Sequence, residues 1–319
     1  MRVLVTGASG YIGVHVVREL LGEGHEVTAV VRSPARLGPL PGTTGLRVVT
    51  ADLLERRSLA EALEGQDVCI HAALLWGEPG SELDLPDTAI AARLFDDAGR
   101  AGVARCVYLS SASVHRPFAP EMDEDDRLTT SDYYGATKAA GEVFLRAACA
   151  THAMSGVVIR PGPVVGPPAF PGGSFRSDRR LADMVGAAMR AVPIEVPARA
   201  GRQWCDVATL AKVTRLLACA ADPHPTYVCV DSEILLWEWI AQTIVDCLRS
   251  PSPVRVLPSS PESSPRFRTR RIEELLGGPM DSRAALVSHL HELAPPSAND
   301  GETKTRPELR LRGARLAEP

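Results

Sequence analysis

The sequence predicts a doubly wound α/β fold, in which helices cover both faces of a parallel sheet and a smaller C-terminal lobe follows. Short apolar runs of strand length alternate with helical segments over the first half of the chain. Such alternation is typical of a parallel sheet. Glycine-rich or serine-rich stretches follow two of the strands, at the edge where open α/β sheets bind their ligands.

Six strands are predicted from runs rich in β-branched and other apolar residues. They cover residues 2–6, 26–31, 46–49, 67–71, 105–109 and 157–160. Helices are predicted between them where apolar residues recur at helical spacing, over residues 14–21, 58–63, 89–101 and 134–150. Gly65 and Gly102 follow two of these helices and are typical C-terminal signals.

The 319 residues are enough for a large domain and a smaller lobe. Proline and glycine become frequent over residues 161–173 and interrupt the alternation. We expect a dinucleotide-binding domain at residues 1–165, to which residues 203–230 return through strands at 203–207 and 226–230. Residues 166–202 and 231–293 are expected to form a substrate-binding lobe.

The final segment, residues 294–319, is rich in proline and charge and has few large apolar side chains. It cannot bury enough surface to offset the entropy of ordering, so we expect a disordered tail. Contact of its arginines with a partner is the alternative.

The composition is that of an ordinary globular protein, with 45% hydrophobic residues, 23% charged residues and a formal charge of −4. This charge gives no reason to expect nucleic acid and favours a small-molecule ligand. The seven cysteines form no CxxC pair, which predicts buried thiols in a reducing compartment and no metal site. No apolar stretch reaches the roughly 20 residues of a membrane helix, and the N-terminus enters a strand directly, so a soluble cytoplasmic protein is expected.

Glycines 7, 10 and 13 lie between the first strand and the first helix. Gly7 permits a tight turn, Gly10 lets backbone N–H groups approach a pyrophosphate, and Gly13 lets the helix pack close to the strand. The positive end of the helix then faces the phosphates. In this context the motif predicts a Rossmann-type dinucleotide site that includes the intervening residues Ser9, Tyr11 and Ile12.

The residues after the second strand indicate which dinucleotide is bound. NAD sites commonly carry an acidic residue there, which accepts hydrogen bonds from the ribose hydroxyls. Here Val31 is followed by Arg32 and Ser33, and a guanidinium beside a hydroxyl suits the 2′-phosphate of NADP. We expect NADP to be preferred, with a solvated Arg32 as the alternative.

Tyr134 and Lys138 are four residues apart, which places them on one face of a helix. A tyrosine has a pKa of about 10, so a nearby positive charge is needed to tune it for acid–base work, and Lys138 is expected to supply that charge. Tyr133 has no lysine four residues on. Hydroxyls that could hold a substrate oxygen while Tyr134 transfers its proton follow the fifth strand, at Ser110, Ser111 and Ser113.

These motifs occur together with an Arg-Pro pair in residues 159–167 and with the segment Arg-Gln-Trp-Cys-Asp-Val at residues 202–207. In this order and spacing they resemble the extended short-chain dehydrogenase/reductase family, in its NAD-dependent epimerase/dehydratase group. The resemblance covers about residues 1–278. It implies a nucleotide-activated sugar as a common substrate class, and a homodimer formed through the helices that carry the YxxxK motif.

The resemblance also implies roles for particular residues. Ser111 aligns with the family's catalytic serine, and Ser113 is the second choice. Tyr134 aligns with the catalytic tyrosine, and Lys138 with the lysine that binds the nicotinamide ribose. Pro161 belongs to the strand and loop that close the nicotinamide pocket.

At the third strand, Asp52 and Leu53 take the place where the family holds the adenine amino group, although an acidic residue that caps the next helix would look the same. At the end of the fourth strand, the small residues Ala72 and Ala73 are expected where backbone lies close to the cofactor. His71 beside them is expected to be packed rather than catalytic.

Some positions depart from the family pattern. Ala112 and Ser113 replace the Asp-Glu pair of sugar dehydratases, which argues against water elimination. Pro163 replaces an asparagine that contacts the sugar diphosphate in epimerases, so a diphosphate sugar does not follow from the resemblance alone. Asp87 falls near the position of a supporting asparagine.

Three functions are therefore considered. The first is reduction of a ketone by NADPH, with a nucleotide-linked keto-sugar among the candidate substrates. The second is NAD-dependent epimerisation of a sugar through a transient keto intermediate. The third is a non-catalytic dinucleotide sensor, since fold alone does not fix function, and the intact serine, tyrosine and lysine argue against it.

Overall fold

The computed structural model describes residues 1–74, 85–259 and 264–294. Its strands are β1 (Arg2–Thr6), β2 (Glu26–Val31), β3 (Leu46–Thr50), β4 (Val68–His71), β5 (Arg105–Leu109), β6 (Glu121–Met122), β7 (Ser155–Pro161), β8 (Val164–Val165), β9 (Ile194–Pro197), β10 (Gly201–Arg202), β11 (Cys205–Asp206), β12 (Thr226–Cys229), β13 (Leu235–Leu236), β14 (Val254–Leu257) and β15 (Arg266–Phe267). Its helices are α1 (Tyr11–Gly22), α2 (Arg56–Leu63), α3 (Leu85–Arg100), α4 (Tyr133–Thr151), α5 (Arg179–Met189), α6 (Val207–Cys219), α7 (Trp237–Leu248), α8 (Arg270–Leu276) and α9 (Arg283–Leu293).

A seven-stranded sheet forms the centre of the molecule, in the order β12-β7-β5-β4-β1-β2-β3. All of its neighbouring strands are parallel. The predicted α/β class is therefore confirmed. The chain order reverses between β1 and β4, and the crevice beyond the carboxyl ends of strands at such a switch point is where this fold binds ligands.

The sheet is buried on both faces because its strands alternate apolar side chains between two clusters. Val3 and Val5 of β1 pack with Leu210 and Leu217 of α6 on one face. Leu4 of the same strand belongs to the opposite cluster, which contains Leu63, Phe95, Tyr108 and Leu145. The near-continuous apolar runs seen in the sequence are thus the strands of a doubly covered sheet.

The strand predicted at residues 203–207 differs from the structure. Its ordered part, β11, has two residues and pairs with β8 rather than with the seven-stranded sheet. The strand ends there because the Asp206 carboxylate caps α6, accepting hydrogen bonds from the N–H groups of Ala208 and Thr209. The second returning strand does join the main sheet, where β12 lies beside β7.

A third cluster of buried residues, around Leu181, Trp204, Ile240 and Leu286, lies largely in the segments for which a smaller lobe was predicted. Helix α8 follows the lobe helix α7 in sequence but packs beside β12 and α6, and its Ile272 joins the cluster around Val3. Residues 295–319, for which a disordered tail was predicted, lie outside the described residues. Within the described ranges, no helix is long and apolar enough to cross a membrane.

Candidate active site

The turn between β1 and α1 leaves no room for side chains at two of its glycines. Gly7 has a φ of +67°, and a Cβ atom there would lie 2.6 Å from the Cα of Ala73. A Cβ at Gly13 would lie 2.0 Å from the Gly7 carbonyl oxygen. Gly10 is the N-cap residue of α1 and has no side chain to cap the helix, so the first N–H groups of α1 can bind an anion such as a pyrophosphate.

A cleft of about 380 Å³ opens beside this turn. It contains most of the residues predicted to bind the cofactor, namely Gly7, Ser9, Gly10, Tyr11, Ile12, Gly13, Arg32, Asp52, Leu53, Ala72 and Ala73. The predicted residues Tyr134, Lys138 and Pro161 are not among those that line it. Its wall also contains residues that the sequence did not single out for the cofactor, among them Arg36, Asp87, Ser174, Phe175 and Arg176.

Cationic and hydroxyl side chains gather at the end of the cleft beyond β2. Arg32, Ser33 and Arg36, which follow β2, line the cleft, as does Asp52, which follows β3. The Asp52 carboxylate accepts a hydrogen bond from the Leu54 N–H at 3.0 Å, and the N-cap residue of α2 is Glu55. Asp52 therefore does not cap the next helix, which was the alternative reading of this residue.

Ser111 and Tyr134 meet beyond the carboxyl end of β5. Ser111 is the N-cap of a short 3-10 turn, Ala112–His115, and its hydroxyl accepts a hydrogen bond from the Ser113 N–H at 3.1 Å. The phenol of Tyr134 is hydrogen-bonded to the same Ser111 hydroxyl. Tyr133 is half exposed. The structure thus brings Ser111 to Tyr134.

Burial raises the pKa of Tyr134, and the charge of Asp87 adds to this effect. The hydrogen bond from Ser111 and the positive charges of Arg176 and Arg116 oppose it without cancelling it. The sequence predicted a pKa tuned downward by Lys138. Without a bound cofactor, the cost of removing the phenolate from water outweighs these neighbouring groups. Tuning of the tyrosine by Lys138 together with a nicotinamide stays a prediction.

Lys138 is buried one helical turn after Tyr134. Its ammonium donates a hydrogen bond to the Leu109 carbonyl at 3.2 Å and lies 5.1 Å from the centre of the Tyr108 ring.

A buried polar network begins at Ser110, the residue before Ser111. Glu142 follows Lys138 by four residues on α4 and accepts a hydrogen bond from the Ser110 hydroxyl at 2.6 Å. Its two carboxylate oxygens also accept hydrogen bonds from Arg160 of β7, at 2.9 and 2.7 Å. Arg160 lies 3.0 Å from the His115 imidazole, whose pKa is lowered by burial and by the arginine charge. Neither Glu142 nor Arg160 was predicted as a site residue, although Glu142 continues the Tyr134–Lys138 spacing.

His71 is packed, as the sequence indicated. Its ring stacks on Tyr108 at 5.5 Å, and its Nδ1 lies 2.7 Å from the Thr6 hydroxyl. Burial lowers the pKa of His71 to about 3. The imidazole is therefore neutral at physiological pH and is not placed to act as a charged catalytic group.

On the lobe side, two arginines lie near one indole. The guanidinium of Arg180 lies 4.0 Å from the Trp237 ring centre and that of Arg202 lies 5.2 Å from it. Asp178 pairs with Arg202 at 2.9 Å. The pKa of Arg180 is lowered by burial and by the charge of Arg202. One carboxylate beside two guanidiniums leaves this side of the lobe suited to an anionic group.

Comparison with curated proteins gives relatives with several activities. "Sterol demethylase protein B" of Methylococcus capsulatus is 33% identical over 177 residues, which covers 52% of this chain and 52% of that protein. The first curated relatives are matched over about half of their length. A "dTDP-4-dehydro-6-deoxy-D-allose reductase" of Streptomyces is 27% identical over 286 residues, covering 82% of this chain and 86% of that protein.

Solved structures share the whole architecture. MoeE5, solved in complex with UDP-glucuronic acid and NAD, has a TM-score of 0.73 and 26% identity, with 91% of this chain and 98% of that chain covered. The UDP-N-acetylglucosamine 4-epimerase of Methanobrevibacter ruminantium has a TM-score of 0.74 over 91% of this chain and 97% of its own, and at 20% identity this likeness concerns the fold.

A family model described as "NAD dependent epimerase/dehydratase family" matches residues 3–229, which is more than half of the chain. This match includes the glycine turn, the serine-rich turn after β5 and the YxxxK helix. The chain belongs to the NAD-dependent epimerase/dehydratase family, whose members are extended short-chain dehydrogenases/reductases.

Proposed function

We propose that this protein reduces a ketone with NADPH and that nucleotide-linked keto-sugars are its substrate class. The observation that carries the proposal is the hydrogen bond between Tyr134 and Ser111 beyond the end of β5, one helical turn from the Lys138 ammonium. These groups form an acid, an oxygen-binding hydroxyl and a cation at the edge of the sheet where ligands bind.

Each of the three side chains has a separate task in this reaction. A reduced nicotinamide, when bound, supplies the hydride that reduces the carbonyl carbon. Tyr134 donates the proton to the carbonyl oxygen, and its raised pKa keeps the phenol protonated at neutral pH. Ser111 holds that oxygen by a hydrogen bond, and the Lys138 ammonium, one helical turn after Tyr134, holds the nicotinamide ribose.

The preference for NADP is supported by the end of the cleft beyond β2. Arg32, Ser33 and Arg36 line it together, and Val31 stands where an NAD site carries an acidic residue. Two guanidiniums and a hydroxyl match the charge and the acceptor oxygens of a 2′-phosphate. Arg36 strengthens the argument, because it lies in the short 3-10 helix Pro34–Leu37 that follows Arg32 and Ser33, and it lines the same cleft.

An anionic, nucleotide-linked substrate is supported by the lobe. The guanidiniums of Arg180 and Arg202 both lie near the indole of Trp237, and the Asp178 carboxylate pairs with Arg202. A long match to a reductase of a dTDP-linked keto-sugar, over 82% of this chain, points the same way.

The test is consumption of NADPH with a panel of UDP-linked and dTDP-linked keto-sugars, compared with uncharged ketones of similar size. We expect turnover with an anionic ketone, and Tyr134→Phe to lose it while Tyr133→Phe keeps it. The proposal would be contradicted if none of the ketones in the panel led to NADPH consumption, or if Tyr134→Phe turned over a ketone as fast as the wild type. If Tyr134→Phe responded to every ligand in the same way as the wild type, a non-catalytic sensor would be supported instead.

Epimerisation is the second candidate, and MoeE5 with its bound UDP-glucuronic acid and NAD is the observation that favours it. An epimerase keeps its cofactor through the reaction and shows no net redox change. Purified protein should therefore be denatured and the supernatant analysed for NAD. Stoichiometric NAD, together with interconversion of a UDP-sugar without NADPH consumption, would replace the reductase by the epimerase.

A homodimer through α3 and α4 is proposed as the assembled form. Val143 and Phe144 of α4 are 52% and 42% exposed, and α4 packs directly beside α3. Adjacent large apolar side chains on a helix surface are typical of an interface. Light scattering should show a dimer that Phe144→Glu converts to a monomer, while Met189→Glu, at an equally exposed lobe position, has no effect.

A further inference from the structure

One face of α1 holds a proline-rich segment, residues 166–177, which we call the cover segment. Tyr11, His15 and Arg18 recur at helical spacing and project from the same face of α1. Each bonds a different main-chain carbonyl: the Tyr11 phenol donates to Gly166 at 2.7 Å, the His15 Nε2 to Pro167 at 3.2 Å, and the Arg18 guanidinium to Ala169. The helix that carries the glycine turn therefore also holds the cover segment.

The far part of the cover segment reaches the glycine turn itself. The Ser174 hydroxyl donates a hydrogen bond to the Ser9 carbonyl at 2.6 Å. Ser174, Phe175 and Arg176 line the same cleft as Ser9 and Gly10. The bond between Ser174 and Ser9 thus joins two walls of the cleft.

His289 of α9 joins the two ends of the cover segment. The residue is fully buried, and its ring lies 4.6 Å from the Phe175 ring. Its Nδ1 lies 3.0 Å from the Gly166 carbonyl, and its Nε2 lies 2.8 Å from the Ser177 hydroxyl. Nδ1 also lies 3.2 Å from the Gly166 N–H, so this nitrogen faces both main-chain polar groups of Gly166. In a neutral imidazole one ring nitrogen donates and the other accepts, so the ring can bond Gly166 and Ser177 at the same time.

Helix α9 is anchored in the lobe core through Leu286 and Leu290. The cover segment is consequently fixed from two sides, by α1 at the cofactor cleft and by α9 in the lobe. Burial lowers the pKa of His289, which keeps the imidazole in its neutral form.

We infer that His289 and Tyr11 are positioning residues that set the rate at which the dinucleotide enters and leaves the cleft. The inference rests on the proposed function, because it takes the cleft to be the NADP(H) site. The bond between Ser174 and Ser9 bridges two walls of that cleft, so it has to open for a dinucleotide to pass between them. Tyr11 and His289 hold the segment that carries Ser174, so they determine how often the bond between Ser174 and Ser9 opens.

The test is measurement of NADPH association and dissociation rate constants by stopped-flow fluorescence. Wild type is compared with Tyr11→Phe, Ser174→Ala and His289→Asn. Tyr11→Phe and Ser174→Ala each remove one hydrogen bond, and His289→Asn removes at least one of the bonds to Gly166 and Ser177. A hydrogen bond contributes roughly 0.5–1.5 kcal/mol, so we expect both rate constants to rise about 2- to 10-fold together, with a smaller change in Kd. Tyr133→Phe, on the exposed surface of α4, and His291→Ala, exposed on α9, are the matched controls.

A rise in the dissociation rate alone would show that these residues merely contact the dinucleotide, and unchanged rates would show that the cover segment does not control exchange. Either result overturns the inference and leaves the proposed function intact. Failure of the wild type to bind NADPH or NADH would overturn both.

A second measurement does not use a dinucleotide. Amide hydrogen exchange across residues 166–177 is compared between the wild type and His289→Asn without added ligand, with thermal unfolding as the check on folding. At a temperature where His289→Asn is fully folded, we expect its amides in residues 166–177 to exchange faster than those of the wild type. The control His291→Ala should exchange at the wild-type rate. Equal exchange in all three proteins would show that His289 does not hold the segment.

Discussion

The two halves of the site differ in whether main-chain or side-chain groups form them. The cofactor cleft is formed largely by main chain, with the glycine turn, the open N-terminus of α1 and the small residues after β4. The catalytic edge is formed by side chains, with Tyr134 bonded to Ser111 and with Glu142 paired to Arg160 behind them. The first half depends on the absence of side chains, and the second on particular functional groups.

This difference explains where specificity is located. A cleft made of main-chain groups can bind any dinucleotide pyrophosphate, so the choice between NAD and NADP falls to the few side chains at its end. The proposed reaction at the other half depends on where single atoms of Ser111 and Tyr134 lie, and a buried ion pair is joined to the neighbouring Ser110. The catalytic half is therefore expected to be the more sensitive to substitution.

The largest expected effect is that of Tyr134→Phe on turnover. General acid catalysis contributes about 10²- to 10⁴-fold, and we expect a loss of kcat in this range with little change in NADPH affinity. The pH profile gives a second readout. The protonated phenol is the active form and burial raises its pKa, so the rate of reduction in the wild type should stay level through neutral pH and fall only above about pH 10. A fall near neutrality would assign the acid to another group.

Next in size is the effect of Glu142→Gln on stability. Both Glu142 and Arg160 are almost completely buried, and removing one charge of a buried pair costs about 3–5 kcal/mol. Glu274→Gln is the control, because Glu274 pairs with Arg270 at 2.7 Å on the surface, where a pair contributes roughly 0–1 kcal/mol. Urea unfolding of both variants gives the comparison. Equal losses would show that the ion pair does not hold the catalytic edge in place.

The cofactor half is tested by two glycines of one helix. A Cβ at Gly13 would overlap the Gly7 carbonyl, whereas a Cβ at Gly22 meets nothing within 4 Å. Gly13→Ala should cost about 1–3 kcal/mol through overpacking and should weaken NADPH binding. Gly22→Ala should be neutral or stabilising by up to about 1 kcal/mol, because alanine favours the helix. Similar behaviour of the two variants in calorimetry would contradict a main-chain cradle.

Much of the fold could be predicted because its signals are local. The strands Arg2–Thr6, Glu26–Val31 and Arg105–Leu109 have the predicted bounds, since each is a short apolar run that ends at a glycine or a polar residue. Helix α3 begins at Leu85, four residues earlier than predicted, because its first turn has little apolar periodicity. The pairing of β11 with β8 could not be predicted, because it depends on contacts between distant segments.

The candidate site shows the same division. The glycine turn and Tyr134–Lys138 were visible as spacings within one segment. Glu142 and Arg160 were missed because their pairing joins α4 to β7, and neither residue carries a catalytic motif by itself. The contact of His289 with Gly166 joins residues that are 123 positions apart. No periodicity in the sequence indicates that contact.

The claim that this protein is an NADPH-dependent reductase is tested most directly by titrating the cofactor-stripped protein with NADPH and NADH. A charge-assisted hydrogen bond contributes about 1.5–3 kcal/mol, so we expect NADPH to bind at least about 10-fold more tightly than NADH. Arg32→Ala should abolish this preference, and Arg47→Ala, exposed on β3, should keep it. Equal or NADH-favouring binding by the wild type, or a cofactor that cannot be stripped, would contradict the claim and favour the epimerase.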